Sequence, residues 1–207
     1  LLPHNVLRTD RLDRHRRTIQ ESVKPTFIIE QLEPRIGTWA ILEYTHISEI
    51  VGKERLLITN TRSKRLAKLG KIEAKKAARL NLTNLCVLDP AAPKTVTPSD
   101  AKRFNAFLFG GILGDYPPQQ RTTPAFIDVA GERRNLGPAQ MSTDTAVLVT
   151  KMILDGTPLD HIPFRDMVTI PIRDGEDIEL PYRYVLRNGK PVLPKGLVEM
   201  LRRKRGF

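Results

Sequence analysis

Cysteine is almost missing from this chain: Cys86 is the only one in 207 residues. A single cysteine excludes an internal disulfide and any cysteine-built zinc site. Set between Leu85 and Val87, it reads as a small buried hydrophobe. Long apolar runs are missing too, and none approaches the length needed to cross a bilayer. The first twenty residues hold no apolar core behind a basic start, so no secretory leader is expected. A soluble, cytoplasmic protein with no membrane partner is the expectation. His4, His15, His46 and His161 show no ligand spacing, so no metal is expected. Internal repeats and low-complexity runs are absent as well.

Positive charge, by contrast, is abundant. Lys and Arg number 34 against 23 Asp and Glu, a formal net charge of +11. Such a balance fits either a generally basic surface or a partner rich in phosphate, nucleic acid or the ribosome among them. Part of the charge lies in residues 1–26, where Arg8, Arg11, Arg14, Arg16 and Arg17 crowd together with few apolar residues to dock. This segment reads as a basic extension, flexible or helical. Residues 27–207 are enough for one domain with a full core.

From Thr26 the chain alternates strand and helix signals. Strands are expected at Phe27–Glu30, Leu56–Thr59, Leu85–Leu88 and Ala106–Phe109, with a short one near Arg134–Leu136. Helices are expected from a Thr38 cap to about Val51, over the Lys/Ala/Leu-rich Lys64–Leu80, and over Asp144–Leu154 behind a Ser142 or Thr143 cap. A short helix should open at Ser99 or Asp100. Trp39 and Tyr44 read as core residues of the first helix. Beyond Pro163 come strand-like pieces with turns at Asp174-Gly175 and Asn188-Gly189, the latter a hairpin signal. A basic tail helix, Leu197–Arg205, ends the chain. The rhythm predicts an α/β fold, a three-layer, mostly parallel sheet with a small C-terminal hairpin and tail helix.

Two glycine loops leave strand ends: Phe109-Gly110-Gly111-Ile112-Leu113-Gly114-Asp115 and Leu136-Gly137-Pro138-Ala139-Gln140-Met141-Ser142-Thr143. Glycine lets a backbone approach a ligand closely. Neither loop has the spacing of a dinucleotide or phosphate cradle. By spacing alone they mark a small-molecule site at the carboxyl edge of the sheet.

The wording of the loops says more. Gly110-Gly111-Ile112-Leu113-Gly114-Asp115-Tyr116-Pro117-Pro118, Leu136 to Ala146, Leu180-Pro181-Tyr182-Arg183-Tyr184 and the opening Ile28-Ile29-Glu30-Gln31-Leu32-Glu33 resemble the SPOUT-class methyltransferase family that includes the fungal ribosomal-protein arginine methyltransferase. The resemblance runs from about Phe27 to Gly196. It implies a deep C-terminal trefoil knot that binds S-adenosylmethionine in a bent shape. It also implies that Gly110, Gly111, Leu113, Gly114, Leu136, Gly137, Pro138, Gln140, Met141 and Thr143 form the cofactor walls. A monomer is favoured over the homodimer common in the wider class.

If the methyl acceptor is a guanidinium nitrogen, its high pKa makes it a poor nucleophile, and a carboxylate should orient it and accept charge. Glu30, Glu33, Asp115 and Asp144 are the acids on the expected site loops, and Arg183 is a candidate to neutralise a carboxylate. Each has a competing structural explanation. Asp144 suits a helix N-terminus, Asp115 a turn, Glu30 and Glu33 surface pairs with arginine, and Arg183 a pair with a nearby acid. The expected activity is methylation of an arginine in a ribosomal protein. The alternatives are methylation of rRNA or tRNA, and a non-catalytic ribosome-binding protein. Contact with rRNA through the basic arm and the tail Arg202-Arg203-Lys204-Arg205 suits any of the three.

Overall fold

The computed structural model of the chain describes residues 24–111 and 122–204. Its centre is a six-stranded parallel sheet of order β3-β2-β1-β5-β4-β6. The strands are β1 (Thr26–Gln31), β2 (Leu56–Thr59), β3 (Lys71–Ile72), β4 (Leu85–Leu88), β5 (Ala106–Gly111) and β6 (Glu132–Arg134). The helices are α1 (Thr38–Val51), α2 (Thr122–Ala125), α3 (Thr143–Leu154) and α4 (Leu197–Lys204). A second, antiparallel sheet joins β7 (Phe164–Arg173), β8 (Glu176–Arg187) and β9 (Lys190–Pro191).

The central strands are apolar over most of their length because both faces are covered. Their side chains alternate between two clusters, as the period of two requires. Phe27, Ile29, Cys86, Leu88, Phe107 and Phe109 enter the larger cluster with α1 and α3. Phe27 stacks with Phe107 and Phe109 at 6.2 and 6.1 Å between ring centroids. Ile28, Leu85, Val87, Ala106 and Leu108 point to the other face and meet Ala77, Phe126 and Val129. Cys86 is fully buried, and its thiol is pushed up to about 12 by desolvation. The α/β, mostly parallel reading is borne out, though the second face is covered by turns among the described residues rather than by a long helix.

That difference has a local cause. The helix expected over Lys64–Leu80 does not form. The segment runs as short turns at Leu66–Lys68 and Ala77–Arg79 with the edge strand β3 between them. Gly70 lies so close to β2 that an added Cβ would sit 2.7 Å from the Leu56 carbonyl oxygen, so the chain bends there into the sheet. Smaller shifts follow the hydrogen bonds. Gly37, not Thr38, is the residue before α1. Thr97 caps the turn at Pro98–Lys102, where Ser99 or Asp100 was expected to open it. The strand expected near Arg134–Leu136 is β6, which ends at Arg134. Thr26 already belongs to β1, and the Pro25 carbonyl accepts from Arg55 Nε at 3.1 Å.

The hairpin matches its sequence signals. Gly175 turns β7 into β8, and Asn188 and Gly189 both take positive φ, 51° and 73°, to turn β8 into β9. Val168, Ile170, Leu180 and Tyr184 pack with Leu197 and Leu201 of α4 into a third cluster that takes in Trp39 and Leu42 of α1.

Candidate active site

The carboxyl ends of β1 and β5 lie side by side, Glu30 opposite Gly110 and Gln31 opposite Gly111. The N-terminus of α3 meets them there: Thr143 Oγ1 donates to the Gly110 carbonyl at 3.1 Å. From the other side, the Arg183 N–H of β8 donates to the Gln140 carbonyl at 2.8 Å. Gly110 and Gly111, the second glycine loop, α3 and the hairpin therefore converge at the carboxyl edge, where open α/β sheets hold ligands.

A polar network lies under this junction. Asp144, in the first turn of α3, is completely buried. Its Oδ2 is 2.7 Å from His46 Nδ1 of α1, across 98 residues of sequence. Its Oδ1 is buried and has no hydrogen-bond partner among the described residues. An unmatched buried carboxylate oxygen typically costs about 1–3 kcal/mol or more, which marks it as a place where a donor belongs. Glu43, one turn earlier on α1, is also buried and accepts from Trp39 Nε1 at 2.8 Å. Burial and, after it, the charge of Asp144 raise the Glu43 carboxyl well above the ordinary carboxylate range. Burial likewise raises the Tyr184 and Tyr44 hydroxyls, so both stay protonated.

The glycines are sterically required in different ways. A Cβ on Gly111 would overlap the Tyr44 hydroxyl and stand 2.9 Å from the Glu30 carbonyl. Tyr44 is held in place by its hydrogen bond to Gln31 Oε1, 2.5 Å. Gly137 instead has φ +87°, a region side-chain-bearing residues rarely adopt, while the space beside it is open to Leu159 at 3.6 Å. Its N–H donates to Asn135 Oδ1 at 2.9 Å. Leu136 and Met141 are half-buried against the main core, and Pro138 is exposed.

The expected catalytic residues fare differently. Asp144 lies at the centre of the network just described. Glu30 is near but engaged: its Oε2 accepts from Thr59 Oγ1 at 2.7 Å and from the Ala77 N–H at 2.6 Å. Glu33 follows β1, half-buried, and its charge reaches Tyr44. Arg183 forms a bidentate pair with its cross-strand neighbour Asp166 at 2.6 and 2.8 Å, over the Phe164 ring. That pair is the structural explanation weighed for Arg183. Leu113, Gly114 and Asp115 lie outside the described residues, as do residues 1–23 of the basic arm. Among the described residues no cluster of His, Cys, Asp or Glu is placed to hold a metal, and no helix is long and apolar enough to cross a membrane.

Sequence reasoning passed over Glu43 and His46. A signal for Glu43 exists: Ala40, Glu43, Tyr44, Ile47 and Val51 follow the spacing of one buried helical stripe, and a carboxylate in such a stripe needs a reason.

A family described as protein arginine N-methyltransferase SFM1-like matches residues 26–206. The chain belongs to that family. Protein arginine N-methyltransferase SFM1 of Saccharomyces cerevisiae is 37% identical over 201 residues, covering 86% of this chain and 94% of the yeast protein. The crystal structure of the yeast arginine methyltransferase SFM1 complexed with SAM superposes with a TM-score of 0.80 at 35% identity, covering 87% of this chain and 91% of that one. A Trm10 structure from Thermococcus kodakaraensis, at 16% identity, 66% and 95% coverage and a TM-score of 0.53, shares the fold alone. The SFM1-like family is thus the one whose motifs the glycine loops carry, and its fold is that of the SPOUT class.

Proposed function

We propose that this protein methylates an arginine side chain of a ribosomal protein, with S-adenosylmethionine as donor and Asp144 as the residue that receives the guanidinium. The observation that carries the reading is the buried, unpaired Oδ1 of Asp144 beside two glycine loops in a member of the SFM1-like family. The residues present suit the donor molecule. Gly111 sits where any side chain would collide, Gly137 has a backbone only glycine adopts easily, and Thr143 ties the two loops together. Gly110, Gly111, Leu113, Gly114, Leu136, Gly137, Pro138, Gln140, Met141 and Thr143 would hold it within a trefoil knot. When bound, it supplies a methyl group on a positively charged sulfur.

The chain's own residues do the rest. Asp144 accepts the guanidinium N–H groups at its free oxygen, in a buried setting where charge-assisted bonds are strong. This orients a nitrogen for in-line attack and stabilises positive charge as it moves. His46 holds Asp144 in place through Nδ1 and so acts as a positioning residue. Burial and, after it, the charge of Asp144 raise the Glu43 carboxyl well above the ordinary carboxylate range, so it holds a proton more tightly than a free carboxyl. Asp115 is the second acid we assign to the substrate side. Glu30, Glu33 and Arg183 support the site's shape through their contacts with neighbouring elements.

The reading extends to a cytoplasmic monomer with a basic N-terminal extension over residues 1–26. The test is transfer of radiolabelled methyl from S-adenosylmethionine to methyl-deficient ribosomes, followed by separation of protein from RNA. Label recovered as methylarginine in a ribosomal protein is the expected result. Label in the RNA would overturn the choice of substrate and keep the enzyme.

A further inference from the structure

The strongest charge in the described structure lies away from this site, between β2 and β4. Eight Lys and Arg residues fall between Arg62 and Arg79, with Glu73 as the only acid. The segment thus carries seven of the chain's eleven net positive charges. All eight cationic side chains are exposed. Several cations elsewhere among the described residues are paired: Arg133 with Asp89, Arg134 with Asp100 and Glu132, Arg183 with Asp166. Among the described residues, none of the eight takes part in an ion pair.

Their backbone is nonetheless held firmly. Leu66 is fully buried, the Leu69 carbonyl accepts from Ser48 Oγ at 2.6 Å, and the Lys75 carbonyl accepts from the Asn60 N–H at 3.0 Å. The Ala77 N–H is bound by the buried Glu30 carboxylate. The anchors face inward and the cations outward, so the edge of the sheet presents a fixed row of positive charge. Like charges gathered without counter-charges repel, and a fold that keeps them so suits an anionic partner.

The chemistry of the segment narrows the partner. No aromatic residue lies between Asn60 and Leu80, so bases have no stacking platform of the kind single-strand binders use. Its exposed apolar residues are alanines only, which gives a bilayer nothing to take up. What remains is recognition of phosphates by shape and charge, the mode used on double-helical RNA.

We infer that the edge formed by β3 and its flanking turns is a docking surface for the phosphate backbone of duplex RNA. The choice of RNA over DNA rests on the ribosomal substrate proposed above; the cationic surface itself does not.

The experiment measures binding of the full chain to a 5′-labelled RNA duplex of about 20 base pairs by fluorescence anisotropy, without methyl donor, across a salt series. The comparison protein carries Lys64→Glu, Lys68→Glu, Lys71→Glu and Lys75→Glu, none of them in the proposed catalytic or cofactor-binding set. Expected are an affinity at least tenfold lower and a log K against log salt slope flatter by about 3.6, since each of the four lost phosphate contacts removes roughly 0.9. The circular dichroism spectrum should be unchanged, which shows that the variant is folded. Equal RNA binding by the two proteins would overturn the inference and move RNA contact to other residues. So would an absence of RNA binding by the parent chain, or a preference for duplex DNA or polyglutamate over RNA. Because no methyl donor is present, failure of the transferase reading would leave these outcomes readable.

Discussion

Two segments that each follow a strand of the central sheet have opposite fates. Thr38–Val51, after β1, becomes a long helix, whereas Lys64–Leu80, after β2, becomes turns and an edge strand although its Lys, Ala and Leu residues are the better helix formers. The first has a continuous stripe, Ala40, Tyr44, Ile47 and Val51, to set against the sheet and α3. In the second, Gly70 interrupts the pattern, and its close approach to Leu56 is worth more than propensity. The polar content is reversed as well. The helix buries Glu43 and turns His46 to Asp144, while the turns leave seven cations in water. One segment contributes the chemistry, and the other contributes a surface.

The comparison breaks most sharply at Asp144. Asp144→Asn should lower kcat/KM for the arginine substrate on the order of a hundredfold or more, equivalent to about 2.7 kcal/mol of barrier, with the circular dichroism spectrum retained. Near-normal turnover would remove Asp144 from the reaction. Gly70→Ala tests why the second segment is not a helix. Its Cβ would press on the Leu56 carbonyl, and urea unfolding should show a loss of about 1–3 kcal/mol. No loss would mean that the bend has another cause.

Glu43→Gln sharpens the helical side. An acid whose folded pKa is raised gives its stability below the ordinary carboxylate pKa and loses it as pH rises through the raised value. Glutamine keeps the acceptor for Trp39 and never ionises. The variant and parent should therefore melt alike near pH 4, and the variant should melt higher as pH rises toward about 9. Parallel curves would show that Glu43 ionises as freely when folded as when unfolded. The smallest effect belongs to the cationic turns: the fourfold Lys→Glu variant should stay within about 0.5 kcal/mol of the parent in urea. A larger loss would give those lysines a structural part.

Much of this was legible in the chain. β4, β5 and the Phe27–Ile29 run of β1 are continuous apolar stretches, the mark of strands buried on both faces, and Asn188-Gly189 specifies its turn through two residues that accept positive φ. The glycine loops carried the family resemblance, and Asp144 was visible as an acid at a helix start. Glu30 and Arg183 were visible as charges, but not their partners. Thr59 and Ala77 meet Glu30 only because β2 lies beside β1, and Asp166 meets Arg183 only through the hairpin register.

By itself, then, the sequence determined five of the six central strands, the hairpin, the glycine loops and the family, because each is written in residues that are neighbours along the chain. The tertiary structure decided the rest. It melted a plausible helix through one close glycine contact, and it buried Glu43 and Asp144 against each other. It also brought His46 to a carboxylate 98 residues away. Those outcomes depend on which surfaces share a core, and a buried charge acquires its chemistry only from the groups that exclude water around it.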